Sequence, residues 1–162
     1  METSDGASQA DPSPIGTAGL VRFDSLGNRE WDYVPPPGVG AIDDCYALNV
    51  AEDATWAYYY SEFPLVRIAP DGEIENWDTR FNGGARAFAV ASPNVVFFGG
   101  YEDERDRCVL FKFESGRVVE VAPLRLVLPT NVQLRSDHVV GRNSKLHALA
   151  DNVWYQLDVR EL

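Results

Sequence analysis

A chain of 162 residues, 45% of them hydrophobic, is long enough to bury one substantial core and too short for two comfortable domains. Its formal net charge of −11, from 25 acidic against 14 basic residues, repels phosphate, so nucleic acid and anionic membrane are poor partners. The sequence contains no apolar run of about 18 residues, so no membrane-spanning helix is expected.

The opening METSDGASQADPSPIG lacks the basic start and apolar stretch of a secretory signal, and a cytoplasmic location is expected. Residues 1–17, made almost entirely of Ser, Asp, Gly, Ala and Pro, read as a disordered leader, which leaves one domain over 18–162. GLVRFD (19–24) and REWDYV (29–34) alternate apolar and polar residues around the turn SLGN and predict a hairpin. The prolines of PPPGVG (35–40) cannot continue a ladder and carry the chain onward. Between Asp44 and Thr79 follow four short strand patterns, CYALNVA, TWAYYY, PLVRIA and EIENWD, the last pair joined by Asp71-Gly72. In TWAYYY, Trp56, Tyr58 and Tyr60 fall on one face and Ala57 and Tyr59 on the other, as in a strand covered on both sides.

A second set of four begins about 41 residues later, a spacing found in propeller blades. It comprises ARAFAVA (85–91), NVVFFGG (94–100), DRCVLFKFE (106–114) and RVVEVAPLRLV (117–127), with Ser92-Pro93 and Ser115-Gly116 at turns. DHVVGRN, KLHALAD and NVWYQLDV make a third, incomplete set. The fold predicted is therefore all-β, a partial (half) β-propeller built of four-stranded antiparallel blades, with no convincing helical period anywhere. Alternation predicts that Trp56, Tyr58, Leu65, Ile68, Phe88, Val90, Val96, Phe98, Leu110 and Phe113 form the core. Too few blades are present to close a ring, which usually takes about four to eight. The end sheets, carrying Trp31, Tyr33, Trp154 and Tyr155, would then be covered by a second copy through open blade edges and faces, making a homodimer.

Candidate sites are few. Asp43 and Asp44 precede the first strand of the complete blade; they suit turn and cap chemistry, with a Ca²⁺ site as the lesser alternative. Tyr59, Glu62, Phe63 and Arg67 surround one connection, where stacking and a charged clamp would hold a sugar or peptide, although inter-blade packing accounts for tyrosines there equally well. GGYEDERDR (99–107) supplies Tyr101 and Arg105 on a charged loop, read either as local ion pairing or as a recognition loop. Cys45 and Cys108 sit in apolar strand patterns and read as buried, reduced thiols. His138 and His147 stand apart from any nucleophile, and GxSxG, HExxH and P-loop patterns are absent.

The segments PIGTAGLVRFDSLGNREW, IDDCYALNV, WAYYYSEFPLVRI, FGGYEDERDR and NVWYQLDV resemble the C-terminal half of a family of uncharacterised bacterial β-propeller-like proteins. The likeness runs from Pro14 to Val159, implies a propeller-type fold and carries no established activity. The function expected is a non-catalytic binding or protein-interaction module without a cofactor. The alternative is a metal-assisted propeller hydrolase or lactonase using Asp43, Asp44 and His138.

Overall fold

The computed structural model describes residues 14–79, 83–134 and 138–162. By contacts the chain divides into two compact units, Met1–Val34 and Pro35–Leu162. The leader expected at 1–17 lies mostly outside the described residues, and its last part, Ile15–Ala18, forms a 3-10 turn.

In the first unit, strands β1 (Val21–Phe23) and β2 (Arg29–Asp32) pair antiparallel. Asp24 sets their turn: its Oδ1 accepts from the backbone N–H of Leu26 and of Asn28, each at 2.8 Å. An aspartate that satisfies its own turn in this way fixes the reversal locally.

The second unit contains three antiparallel meanders. The first sheet is β3 (Asp44–Val50), β4 (Thr55–Tyr60), β5 (Leu65–Ile68) and β6 (Ile74–Trp77). The central sheet is β7 (Ala87–Ala91), β8 (Asn94–Phe98), β9 (Cys108–Glu114) and β10 (Arg117–Leu124). The last is β11 (Val139–Arg142), β12 (Lys145–Ala150) and β13 (Val153–Asp158). Strands succeed one another in chain order within each sheet, joined by short turns except for the nine-residue β8–β9 loop, which carries a 3-10 turn at Glu102–Glu104. No α-helix occurs among the described residues.

The central sheet is apolar on both faces, and strict alternation divides its residues between two cores. Phe88, Val95, Phe97, Val109 and Phe111 pack with Trp56, Tyr58 and Leu65 of the first sheet. Ala87, Ala89, Val96, Phe98 and Cys108 pack with Val139, Leu146 and Ala148 of the last. The first strands of the three sheets, β3, β7 and β11, also pack against one another.

A fully buried asparagine ties that junction. Asn49 donates through Nδ2 to the carbonyls of Phe88 (2.9 Å) and Asn143 (3.0 Å), and its Oδ1 accepts from the Asn143 N–H at 2.7 Å. One side chain thus joins all three sheets with its polar groups satisfied, as burial of an amide demands. Beside it the backbones of β11 and β7 approach so closely that a Cβ on Gly141 would lie 1.6 Å from the Phe88 carbonyl oxygen. Only glycine permits such an approach.

Three expectations about burial need correction. Val90, Leu110 and Phe113 are half-buried at the margins of the cores, because each lies where its sheet is overlapped only in part. Tyr33 is buried rather than open. Cys45 is exposed, while Cys108 is buried. The cause is a bulge in β3: Asp44 and Cys45 pair with Tyr60 and Tyr59, but Ala47 already pairs with Tyr58, leaving Tyr46 as an extra residue. An extra residue reverses the inside–outside parity, so Cys45 leaves the face that Ala47 and Asn49 occupy.

The two thiols should therefore separate in a labelling experiment. Burial pushes the Cys108 thiol up to about 12, so it should resist a bulky maleimide until the protein unfolds. Cys45 is reachable, although partial desolvation and the neighbouring Asp44 carboxylate raise its pKa too, so it should label in the native state, slowly at neutral pH. Mass spectrometry after timed labelling checks this. Equal rates at both positions would contradict the bulged register.

Candidate functional site

The register of β3 with β4 puts Asp44 beside Tyr60 at one end of the first sheet and Val50 beside Thr55 at the other. Candidate residues divide between these two ends.

At the first end an aromatic cluster forms. Tyr46, the extra residue of the bulge, is half-buried against the first core and packs edge-on against Phe63 (5.4 Å) and Tyr101 (6.1 Å), and its hydroxyl meets that of Tyr101 at 2.7 Å. Tyr60 and Tyr58 stand 5.6 Å and 5.5 Å from Phe63. Glu62 and Phe63 both have φ of 54°, a left-handed conformation that costs an L-residue about 1–2 kcal/mol. The Thr79 hydroxyl holds this loop by donating to the Phe63 carbonyl at 2.7 Å. The hydrogen bond with Tyr46, with desolvation second, pushes the Tyr101 hydroxyl up to about 12, so it stays a neutral donor or acceptor. Asp43 and Asp44 are exposed at the same end, and Asp43 is anchored by its N–H donating to the Tyr60 carbonyl at 2.9 Å. Among the described residues no three His, Cys, Asp or Glu side chains gather as a metal set.

Three expected members lie outside this cluster. Tyr59 is fully buried on the opposite face of β4, its hydroxyl donating to the Gly40 carbonyl at 3.1 Å, so no ligand reaches it. Arg67 lies towards the other end. Arg105 is exposed on the β8–β9 loop and contributes its carbonyl to Arg86, at 2.7 Å.

The second end holds a cleft of about 500 Å³, where the β3–β4, β7–β8 and β11–β12 turns converge. Trp56, Trp77 and Phe113 form its aromatic wall, with Trp56 stacked on Trp77 at 5.6 Å and Phe113 edge-on to Trp77 at 5.0 Å. Arg67 donates to Glu75 at 2.8 Å and stands 3.8 Å from the Asp53 carboxylate. Arg160, across the cleft, is paired with Asp158, and this pairing holds the Asp158 carboxyl well below the usual carboxylate range. Asn143 and Ser144 supply polar groups next to the Asn49 junction.

Of the residues predicted from sequence, Asp43, Asp44, Glu62, Phe63 and Tyr101 lie at the first end and Arg67 alone at the second. Sequence reasoning missed Tyr46, which hides in an apolar strand pattern until the bulge turns it. It also missed the joining of Trp77 to Trp56 and Phe113, residues that come from three separate strands. The available signal was shared parity: Trp56, Arg67 and Glu75 are cross-strand neighbours, with Trp77 two residues beyond.

A chain of three stacked antiparallel meanders, buried on both faces of the middle sheet and opening on an aromatic-walled cleft, is an all-β protein of layered sheets. It belongs to the YxzG family, which its residues 16–157 match. Among curated proteins, none matches the chain.

Proposed function

We propose that this chain is a non-catalytic interaction module of half-propeller type, its three meanders serving as successive blades, and that it works as a homodimer. The observation that carries this reading is the outer face of the last sheet. Its outward residues include Val140 (56% exposed), Trp154 (57%) and Leu149 (40%), with Leu149 and Trp154 paired across the strands. The first and central sheets each bury one face against the next meander along the chain. Exposed Val140, Leu149 and Trp154 among charged and polar neighbours on one sheet face have the composition of an interface, with an aromatic anchor and a polar rim.

Charge favours a second copy as the occupant. Arg142 and Lys145 share the face, and desolvation, followed by the charges of Lys145 and Arg142, holds His147 below its usual pKa. Asp158, paired across the strands with Lys145, lies on the same face, so the rim carries both signs and can meet itself about a twofold axis. Two copies would bring six meanders together, a number within the range of closed propellers. Free thiols at Cys45 and Cys108 suit the cytoplasmic setting we assign.

Light scattering at about 10 µM, a concentration at which a stable dimer is populated, should give twice the 18.0 kDa chain mass. Leu149→Arg with Trp154→Arg should return it to one chain mass without altering the circular dichroism. A mass near one chain for the unaltered protein defeats the homodimer.

A further inference from the structure

We infer that the cleft at the convergence of the β3–β4, β7–β8 and β11–β12 turns binds a neutral saccharide. Arg67 is engaged by Glu75 and Asp53, and Arg160 by Asp158, so neither guanidinium offers an uncompensated charge to an anion. Three carboxylates stand against two guanidiniums, and the surplus negative charge rests on Asp53, 3.8 Å from Arg67 with its side chain 79% exposed, where water and salt screen it from a cation. A neutral ligand is what such an array accepts, because charged ligands would have to break an ion pair to enter.

The array is nonetheless rich in directional groups. Arg67 fixes a planar set of N–H donors beside the acceptor oxygens of Glu75, and the Asn143–Ser144 turn adds further polar groups across the cleft. Between them stand Trp56, Trp77 and Phe113, the last two half-buried and contributing to the cleft wall. A pyranose ring has an apolar C–H face suited to an aromatic wall and hydroxyls on its edge that both donate and accept. No purely apolar ligand satisfies the polar side, and no purely polar one uses the rings. The volume of about 500 Å³ lies inside the range of roughly 300–1,000 Å³ common for small-molecule sites. The cleft is also rigidly founded, since Asn143 in its lining is held by Asn49 through two hydrogen bonds.

This inference deepens the interaction-module reading by naming a ligand, while pairing through β11–β13 stands or falls on the mass measurement alone. The test titrates the whole chain with glucose, galactose, mannose, N-acetylglucosamine, maltose, cellobiose and chitobiose, each to about 20 mM, the weak end of measurable affinity. Tryptophan fluorescence and saturation-transfer NMR report binding, with glucose 6-phosphate and choline as charged probes. At least one neutral sugar should saturate, and both Trp77→Ala and Glu75→Gln should weaken it about tenfold, the loss of one stacking or charge-assisted contact. Glu75 is exposed, so its variant folds even if Trp77→Ala does not. The inference is overturned if no neutral sugar binds, if only the charged probes bind, or if Glu75→Gln binds as the parent does.

Discussion

Gly141→Ala should be the most damaging single-methyl change in this protein, costing about 4 kcal/mol or more or abolishing folding. The added Cβ would fall 1.6 Å from the carbonyl oxygen of Phe88 and 2.7 Å from its carbonyl carbon. Both are backbone atoms, so no rotamer change relieves the clash. The two strands would have to separate, opening the second core around Val139, Leu146 and Ala89. Gly116→Ala is the control. Nothing lies within 4 Å of its Cβ position, and only its φ of 71° opposes a side chain, for a cost of about 1–2 kcal/mol. Urea unfolding followed by tryptophan fluorescence compares the two. A Gly141→Ala protein within about 1 kcal/mol of the parent would mean that β7 and β11 do not touch there.

Asn49→Leu should cost about 2–4 kcal/mol, although leucine matches asparagine in size and is more apolar. The substitution leaves the Phe88 carbonyl and the Asn143 N–H without the partner Asn49 provides, in a site closed to water. The Asn143 carbonyl loses less, because the Val90 N–H still donates to it at 3.1 Å. Asn49→Asp should be at least as harmful, since a carboxylate keeps the acceptor but points oxygens at two carbonyls. Asn49→Leu and Gly141→Ala act on the same Phe88 carbonyl, so their effects should combine non-additively in a double-mutant cycle. An Asn49→Leu protein as stable as the parent would remove the asparagine from the junction.

The strands themselves were legible in the sequence. Alternation in TWAYYY and NVVFFGG, turn residues at Asp71-Gly72, Ser92-Pro93 and Ser115-Gly116, and the break at PPPGVG are local signals, and the meanders follow them. What escaped was whatever depends on one strand's relation to a distant one. A bulge leaves no mark in the composition of DCYALNV, yet it decides that Tyr46 joins the aromatic cluster and Cys45 does not stay inside. Asn49 in mid-strand reads as a solvent-facing polar residue; only its parity with Ala47 hinted that it points inward. The candidate site divided for the same reason. Arg67 is only four residues from Phe63 in sequence, but β5 carries it the length of the sheet away from the loop.

The Asn49 junction also orders events in time. Each meander is built from neighbours in sequence and can form by itself as a local, rapid process. The bond from Asn49 to Phe88 closes a separation of 39 residues, and the bonds to Asn143 close one of 94. Closing the longer loop costs about 0.8 kcal/mol more in chain entropy. The last sheet is therefore expected to dock on two sheets already joined, and exchange of the Asn143 amide with solvent should track the release of β11–β13 from β7, ahead of the loss of the first core.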